Sequence, residues 1–226
     1  MTILRALVLF APLAGAQTAD EVVAKALKAR GGEARIRAIR TQRLTGHIKL
    51  PDGEGSLVVE FAREGKMREM VTLDGKSQVR TTDGLHGWAV GTLRGVAEPQ
   101  QVGEAELKLM AGSADFEGPL IDYKRKGNRI ELVGREDVES RPAYKLLVTM
   151  KDGEQRTDYI DAKTFLEVRW EGKGFESYFH DYRKVKGIMY SFEIVSAPMG
   201  KPSNQRIVFD KIEVSPKIDE SRFAKP

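Results

Sequence analysis

Imidazole, thiol and carboxylate side chains are where chemistry would start in this 226-residue sequence, and its three histidines, His47, His86 and His180, are the first candidates. An imidazole can ligate a metal or relay a proton near neutral pH. These three stand far apart in the chain and no His-Glu-x-x-His helix accompanies them, so the spacing predicts separate positions rather than a shared metal site. There is no cysteine, hence no thiolate ligand, no disulfide and no thiol for lipid attachment. A Gly-x-Ser-x-Gly nucleophile elbow and a glycine-rich phosphate loop before a lysine are missing too. Carboxylates are plentiful, but no pair stands out from the alternating charges that mark a solvated face. The sequence predicts no catalytic residue, no metal and no cofactor, and therefore not an enzyme.

What the composition favours is a folded chain that is not built for nucleic acid. Lys and Arg number 37 and Asp and Glu 33, leaving a net charge of +4. A phosphate-binding surface needs basic residues concentrated, whereas here they are interleaved with acids. The opening residues stand outside this pattern. Met1 to Arg5 is a short basic start, Ala6 to Leu13 is an apolar run, and Ala14-Gly15-Ala16 puts small residues where a signal peptidase reads. Residues 1–16 are expected to be a secretory signal peptide, cleaved before Gln17, and residues 17–226 a single exported, periplasmic domain.

The elements that must position any functional side chain are mostly strands. From Thr41 onward apolar and charged residues alternate with a period of two, which describes a sheet with one dry and one wet face. Leu44, Ile48 and Leu50 are set against Arg43, His47 and Lys49; Leu166, Val168 and Trp170 are set against Glu167, Arg169 and Glu171. Asp52-Gly53, Asp74-Gly75, Asp83-Gly84 and Asp152-Gly153 read as tight turns, with Glu64-Gly65, Gly127-Asn128 and Lys186-Gly187 as weaker versions. Strands are expected near 41–50, 55–64, 67–73, 77–83, 86–91, 129–137, 143–150, 155–161, 165–171, 175–183, 188–196 and 205–214. Tight turns between them imply sequential antiparallel pairing.

Helices are few and one-sided. Thr18 and Glu21 form a capping box before Val22, Val23, Ala26 and Leu27, and Gly31-Gly32 ends that run. A second short helix is expected from Glu33 to Ile39. Between Pro99 and Tyr123 the alternation stops; Val102, Leu107, Met110, Ala111 and Ala114 fall at helical spacing before Gly118-Pro119. This insertion reads as an amphipathic helix laid over the dry face, with Lys108 on its wet side.

Several stretches resemble a known family. They are Asp115-Phe116-Glu117-Gly118-Pro119-Leu120-Ile121-Asp122-Tyr123, Val133-Gly134-Arg135-Glu136-Asp137-Val138 and Pro142-Ala143-Tyr144-Lys145-Leu146. The pattern continues through Tyr159-Ile160-Asp161, Thr164-Phe165-Leu166, Asp181-Tyr182 and Gly187-Ile188-Met189-Tyr190. In these the chain resembles the periplasmic lipoprotein carriers, the LolA-like group of outer-membrane lipoprotein-sorting proteins. The resemblance implies a mainly β fold with a few helices: a curved, unclosed antiparallel half-barrel whose concave apolar face is covered by helices, leaving a cavity for acyl chains. The apolar lining expected for it is Leu57, Val59, Phe61, Val71, Leu107, Met110, Leu146, Val148, Trp170 and Phe192.

Three functional classes follow. The leading one is a monomeric carrier of lipoprotein or lipid cargo that exchanges with donor and acceptor proteins of the envelope and touches membrane surfaces transiently. The alternative is a non-enzymatic envelope sensor or scaffold that binds a protein partner through a sheet edge. The third, a transmembrane barrel, is disfavoured by the density of Lys, Arg, Glu and Asp on the polar faces.

Overall fold

The computed structural model describes residues 17–226, so the leader expected over residues 1–16 lies outside the described residues. The first element is α1 (Ala19–Arg30), opened by the capping box: the Glu21 amide donates to Thr18 Oγ1 at 3.2 Å and the Thr18 amide donates to Glu21 Oε2 at 3.0 Å. Its Val22, Val23 and Ala26 are buried. A single turn, α2 (Glu33–Arg37), follows and buries Ile36.

Six strands then run in sequence: β1 (Thr41–Leu50), β2 (Gly53–Ala62), β3 (Lys66–Leu73), β4 (Lys76–Thr82), β5 (Gly87–Gly91) and β6 (Val96–Gln101). The chain crosses over through α3 (Glu104–Ala114) and α4 (Tyr123–Lys126). Seven more strands return: β7 (Arg129–Val138), β8 (Arg141–Thr149), β9 (Gln155–Asp161), β10 (Glu167–Gly172), β11 (Phe175–Val185), β12 (Ile188–Pro198) and β13 (Gln205–Val214). All thirteen form one antiparallel sheet in the order β6-β5-β4-β3-β2-β1-β13-β12-β11-β10-β9-β8-β7. Consecutive strands pair with each other everywhere except β6 and β7, and the pairing of β1 with β13 joins the two halves. The sheet does not close, and β6 and β7 are its edges.

Turn chemistry explains the meander. At Asp74-Gly75 both residues take positive φ, 47° and 75°, the geometry whose twist matches that of the flanking strands. The helices lie on one face, here the inner face. There α2 and α3 contribute Ile36, Met110 and Ala114 to a cluster with residues of β1 to β3, β12 and β13. Next to it α1 packs Val22, Val23 and Ala26 on Ile130, Leu146, Val148 and Ile160 of β7 to β9.

Two departures from the sequence expectation have physical reasons. Strand β6 falls where alternation is lacking, and its Pro99 is tolerated because β6 is an edge strand, with hydrogen-bonding obligations on one side only. In β10 the face assignment is corrected. The register with β9 slips between Glu167 and Arg169, so Glu167 stands opposite Ile160 and Arg169 opposite Tyr159, with Val168 as the extra residue of a bulge. Glu167 therefore shares the inner side with Ile160, while Val168 packs with Val138, Ala143 and Tyr159 on the other side. Val168 and Trp170 do not share a face. Nor is Arg169 freely solvated: it lies between the rings of Tyr159 and Tyr178 and pairs with Glu171 at 2.5 Å and Glu176 at 2.7 Å.

The seam between β1 and β13 has no room for a side chain at Gly46. A Cβ there would sit 2.1 Å from the Val208 carbonyl oxygen and 2.7 Å from the Phe209 Cα, both backbone atoms. Gly46→Ala is expected to lower the urea unfolding midpoint by the equivalent of about 1–3 kcal/mol. Gly112→Ala, in α3 with nothing within 4 Å of its Cβ, is expected to raise stability by up to about 1 kcal/mol through helix propensity.

Candidate functional site

The inner face is built from the inward residues of nearly every strand. Of the expected lining, Leu57, Val59, Val71, Met110 and Phe192 are buried together in the larger cluster, with Phe61 packed against it. Leu146 and Val148 belong to the neighbouring cluster under α1. Leu107 and Met110 of α3 both lie over Gly87 of β5, where a Cβ would meet Leu107 Cδ1 at 3.2 Å and Met110 Sδ at 3.3 Å. Trp170 stands apart from both clusters, beside charge. The apolar residues singled out by alternation thus fall under the helices, and they are packed.

The cover over this face is tied down by two arginines that sequence reasoning did not single out. From the end of α1, Arg30 donates through Nη2 to the Phe116 carbonyl at 2.8 Å and through Nη1 to the Glu117 carbonyl. From the end of β2, Arg63 donates to the carbonyls of Ile39 at 2.6 Å and Arg37 at 2.7 Å, and pairs with Glu117 at 2.7 Å. Its guanidinium also lies 5.2 Å from the Phe116 ring centroid. The segment just after α3 is therefore held by charge-assisted contacts as well as by its own Phe116 and Ile121, which pack into the larger cluster. Beside it a recess of about 180 Å³ is lined by Arg63, Ala111, Ala114, Phe116 and Glu117, among others. That is smaller than the ~300–1,000 Å³ typical of sites for drug-sized ligands. On the exposed side of α3, Lys108 reaches Asp152 at 2.9 Å and Glu154 at 2.6 Å in the β8–β9 turn. The helix bridges β3 and β4 to the far part of the sheet.

Beneath this cover the inner face also carries ions. Arg156 and Asp158 of β9 stand opposite Val148 and Leu146 of β8, so they share the apolar side. Arg156 Nη2 donates to Asp158 Oδ2 at 3.0 Å and reaches Glu167 Oε1 at 3.3 Å. Arg156 Nε and Asp158 Oδ1 lie 2.6 Å apart without completing a hydrogen bond. The Trp170 ring, 5.5 Å from the Arg156 guanidinium, lies on the same side opposite Asp158. Tyr182 Oη donates to the Glu167 carbonyl at 2.7 Å, and Gln42 Nε2 donates to Tyr190 Oη at 2.8 Å.

Burial differs among these groups. Asp158 is inaccessible, while Glu167 keeps 28% of its side chain accessible although protein surrounds it. Burial, reinforced by the charge of Asp158 and opposed by Arg156 and Arg30, pushes the Glu167 carboxyl up to about 7. Burial likewise raises Asp158, against the pull of Arg156, and raises the phenol of Tyr190 to about 12. A signal for this cluster was present in the sequence: Arg156, Asp158 and Ile160 have one parity, so a dry Ile160 places both ions on its face.

The three histidines do not come together around one carboxylate. His47 Nε2 lies 3.1 Å from Asp210, His86 Nδ1 3.3 Å from Asp83, and His180 Nδ1 3.6 Å from Glu139. Among the described residues, no group of three or more His, Cys, Asp or Glu side chains is arranged to hold a metal ion.

Comparison with known protein families and with curated proteins returns no match. Solved structures do share the fold. A DUF1329 family protein from Desulfovibrio piger is 13% identical, with 91% of this chain and 97% of that one covered at a TM-score of 0.57. A domain from Vibrio parahaemolyticus described as an outer membrane lipoprotein-sorting protein is 10% identical, with 91% and 97% covered at 0.61. A LolA superfamily protein from Nitrosomonas europaea is 13% identical, with 93% and 99% covered at 0.59. At these identities the likeness is one of fold: mainly β, an unclosed antiparallel half-barrel with a few helices.

The buried carboxylate makes stability depend on pH. The Glu167 pKa is raised on folding, so its contribution is fully present below the ordinary carboxylate range and is lost as pH rises through about 7. Glu167→Gln is expected to flatten that slope and, above neutrality, to be more stable than the parent by on the order of 2 kcal/mol. Urea titrations of both proteins across the pH range check this.

Proposed function

We propose that this chain, a half-barrel of the LolA type, is a periplasmic carrier that takes up the acyl chains of lipoproteins or lipids on its inner face for sorting to the outer membrane. The observation that carries the reading is the way the inner face is covered. Its apolar surface spans β1 to β3, β12 and β13 and, as a second patch, β7 to β9, and the crossover that closes it sets Met110, Ala114 and Ile121 into the core and is clasped at Phe116 and Glu117 by Arg30 and Arg63. A cover anchored by a few side chains, and making no strand ladder, can lift without unfolding the sheet, since lids belong to the low-stability part of a fold. An acyl chain placed beneath it gains about 0.8 kcal/mol per methylene removed from water.

Leu57, Val59, Phe61, Val71, Leu146, Val148 and Phe192 form the acyl-binding surface in this reading, Leu107 and Met110 the lid contacts, and Trp170 the border with the charged cluster. The carrier acts as a single-domain monomer, exported by the leader over residues 1–16. Contact with membranes falls at the exposed Phe175 and Met199, 50% and 47% accessible, which adjoin through the Met199 amide and the Gly174 carbonyl and are flanked by Lys173 and Lys201. N-terminal sequencing of the exported protein is expected to return Gln17; finding Met1 would remove export from the reading.

The lid is tested with a fluorescent fatty-acyl probe. Leu107→Asp puts a charge where it must be desolvated on closure, and is expected to speed probe exchange roughly tenfold, the effect of about 1.4 kcal/mol on an open–closed equilibrium. Global unfolding should shift less. Lys108→Ala, which removes only partly exposed ion pairs each worth ~0–1 kcal/mol, is expected to change exchange a few-fold at most. If no form of the protein binds the probe, the inner face is core and the scaffold reading replaces the carrier.

A further inference from the structure

A second charged cluster lies on the outer face of the sheet, where an acyl-binding inner face has no use for it. Leu57, Val59 and Phe61 of β2 pack inward, so Glu60 between them points outward. Glu60 stands directly opposite Arg43 of β1 and Arg68 of β3, which puts all three side chains on one face. A third guanidinium, Arg222, arrives from the short turn Glu220–Phe223 near the C-terminus. That turn is fastened to the outer face by the buried Phe223, by the Thr81 hydroxyl donating to the Ala224 carbonyl at 3.1 Å and by Lys66 pairing with Glu220 at 2.6 Å. Both oxygens of the inaccessible Glu60 are taken. Oε1 accepts from Arg43 Nε at 2.8 Å and Oε2 from Arg222 Nε at 2.6 Å.

Arg68 is left over. Its Nε comes no closer than 4.0 Å to Glu60 Oε2, the oxygen that Arg222 already holds, and among the described residues its guanidinium makes no hydrogen bond. With 18% of its side chain accessible, it has given up much of its water without gaining a partner. Burial, and then the charge of Arg222, lower the Arg68 guanidinium from its ordinary value against the pull of Glu60. The neighbouring carboxylates keep their charge but present it elsewhere. Glu213 lies 3.8 Å from Arg43 and 3.0 Å from Lys211, Glu220 is paired with Lys66, and Asp219, which acts on Arg222, accepts from the Ser221 amide.

We propose that Arg68 and Arg222 form a site on the outer face for a phosphate or phosphate ester, anchored from behind by Glu60. The two guanidinium groups converge on the same oxygen of Glu60, which occupies Arg222 through Nε and leaves its terminal nitrogens unbonded among the described residues. A phosphate set between them accepts from the donors that Glu60 leaves unused, and planar guanidinium forks match its oxygens in pairs. It also screens two like charges that the fold holds side by side. A cation would meet both guanidinium groups, and an uncharged ligand would relieve neither. The site lies on the opposite face of the sheet from the acyl-binding surface, so it stands or falls apart from the carrier reading.

Calorimetric titration with inorganic phosphate, and with dihexanoylphosphatidylglycerol below its micelle-forming concentration, tests the site at an ionic strength held constant with chloride. Saturable binding is expected, weakened at least about tenfold in Arg68→Gln, which removes one charge-assisted fork and leaves both Glu60 hydrogen bonds in place. Arg129→Gln, at an exposed arginine of the edge strand β7, is the control for general attraction and should bind like the parent. Should Arg68→Gln not fold, Arg68→Lys reads the same loss, because an ammonium keeps the charge but cannot make two parallel bonds. The phosphatidylglycerol binding more tightly than phosphate identifies a lipid headgroup as the source, and phosphate binding at least as tightly identifies the free ion. Absence of saturable binding of both compounds by the parent overturns the site, and so does binding undiminished in a folded Arg68 variant or weakened equally in Arg129→Gln.

Discussion

A sheet of thirteen antiparallel strands that does not close leaves one apolar face that water must not reach, and the rest of this molecule is arranged around that constraint. Closed barrels solve the problem by turning the face inward on all sides. Here the edges β6 and β7 stay apart, and the crossover between them supplies one part of the cover, with α1 and α2 supplying the other. The connection that topology requires, from one edge of the sheet to the other, is the same segment that keeps the inner face dry.

The way this cover is fastened differs from the way the strands hold together. Each strand is zipped to its neighbours by a ladder of backbone hydrogen bonds. By contrast, the segment after α3 is clasped by two side chains, Arg30 on the Phe116 and Glu117 carbonyls and Arg63 on the Glu117 carboxylate, beside its buried Ile121. The sheet is thus held by continuous ladders and the cover by separate side-chain contacts, the buried Met110, Ala114 and Ile121 among them. The charged trio beneath adds a second character to the inner face. This face is apolar along β8, while on β9 it carries Arg156 and Asp158 beside Ile160.

Much of the fold was legible because turn chemistry and alternation are local. Asp74-Gly75 and Lys186-Gly187 specify hairpins by themselves, and twelve strands lie where period two places them. The thirteenth, β6, was illegible because an edge strand with Pro99 and few apolar residues buries too little to show a pattern. The site was legible in part. Alternation found the apolar residues of the inner face, but a single extra residue at Val168 inverted the reading of Glu167, since a slip of one exchanges the two faces. Arg30 and Arg63 were invisible for a different reason. Their partners are backbone carbonyls far along the chain, and a carbonyl leaves no trace in sequence.

The pairing of β1 with β13 has a consequence for how the molecule is made. Strands β1 to β6 can zip up as a run of hairpins, and β7 to β13 as another, because their contacts are between near neighbours in the chain. The seam between the halves joins Gln42 to Val214, and it forms only when β13 has been synthesised. Until then β1 carries a bare hydrogen-bonding edge, the feature by which unfinished β proteins join the wrong partner. Past the seam, Phe223 is buried and Arg222 reaches the buried Glu60 at 2.6 Å. The turn that carries them, Glu220–Phe223, lies against β3 and β4, across the seam from β13, so it docks only once the joint has closed, and the vulnerable interval in the making of this protein is the one before β13 arrives.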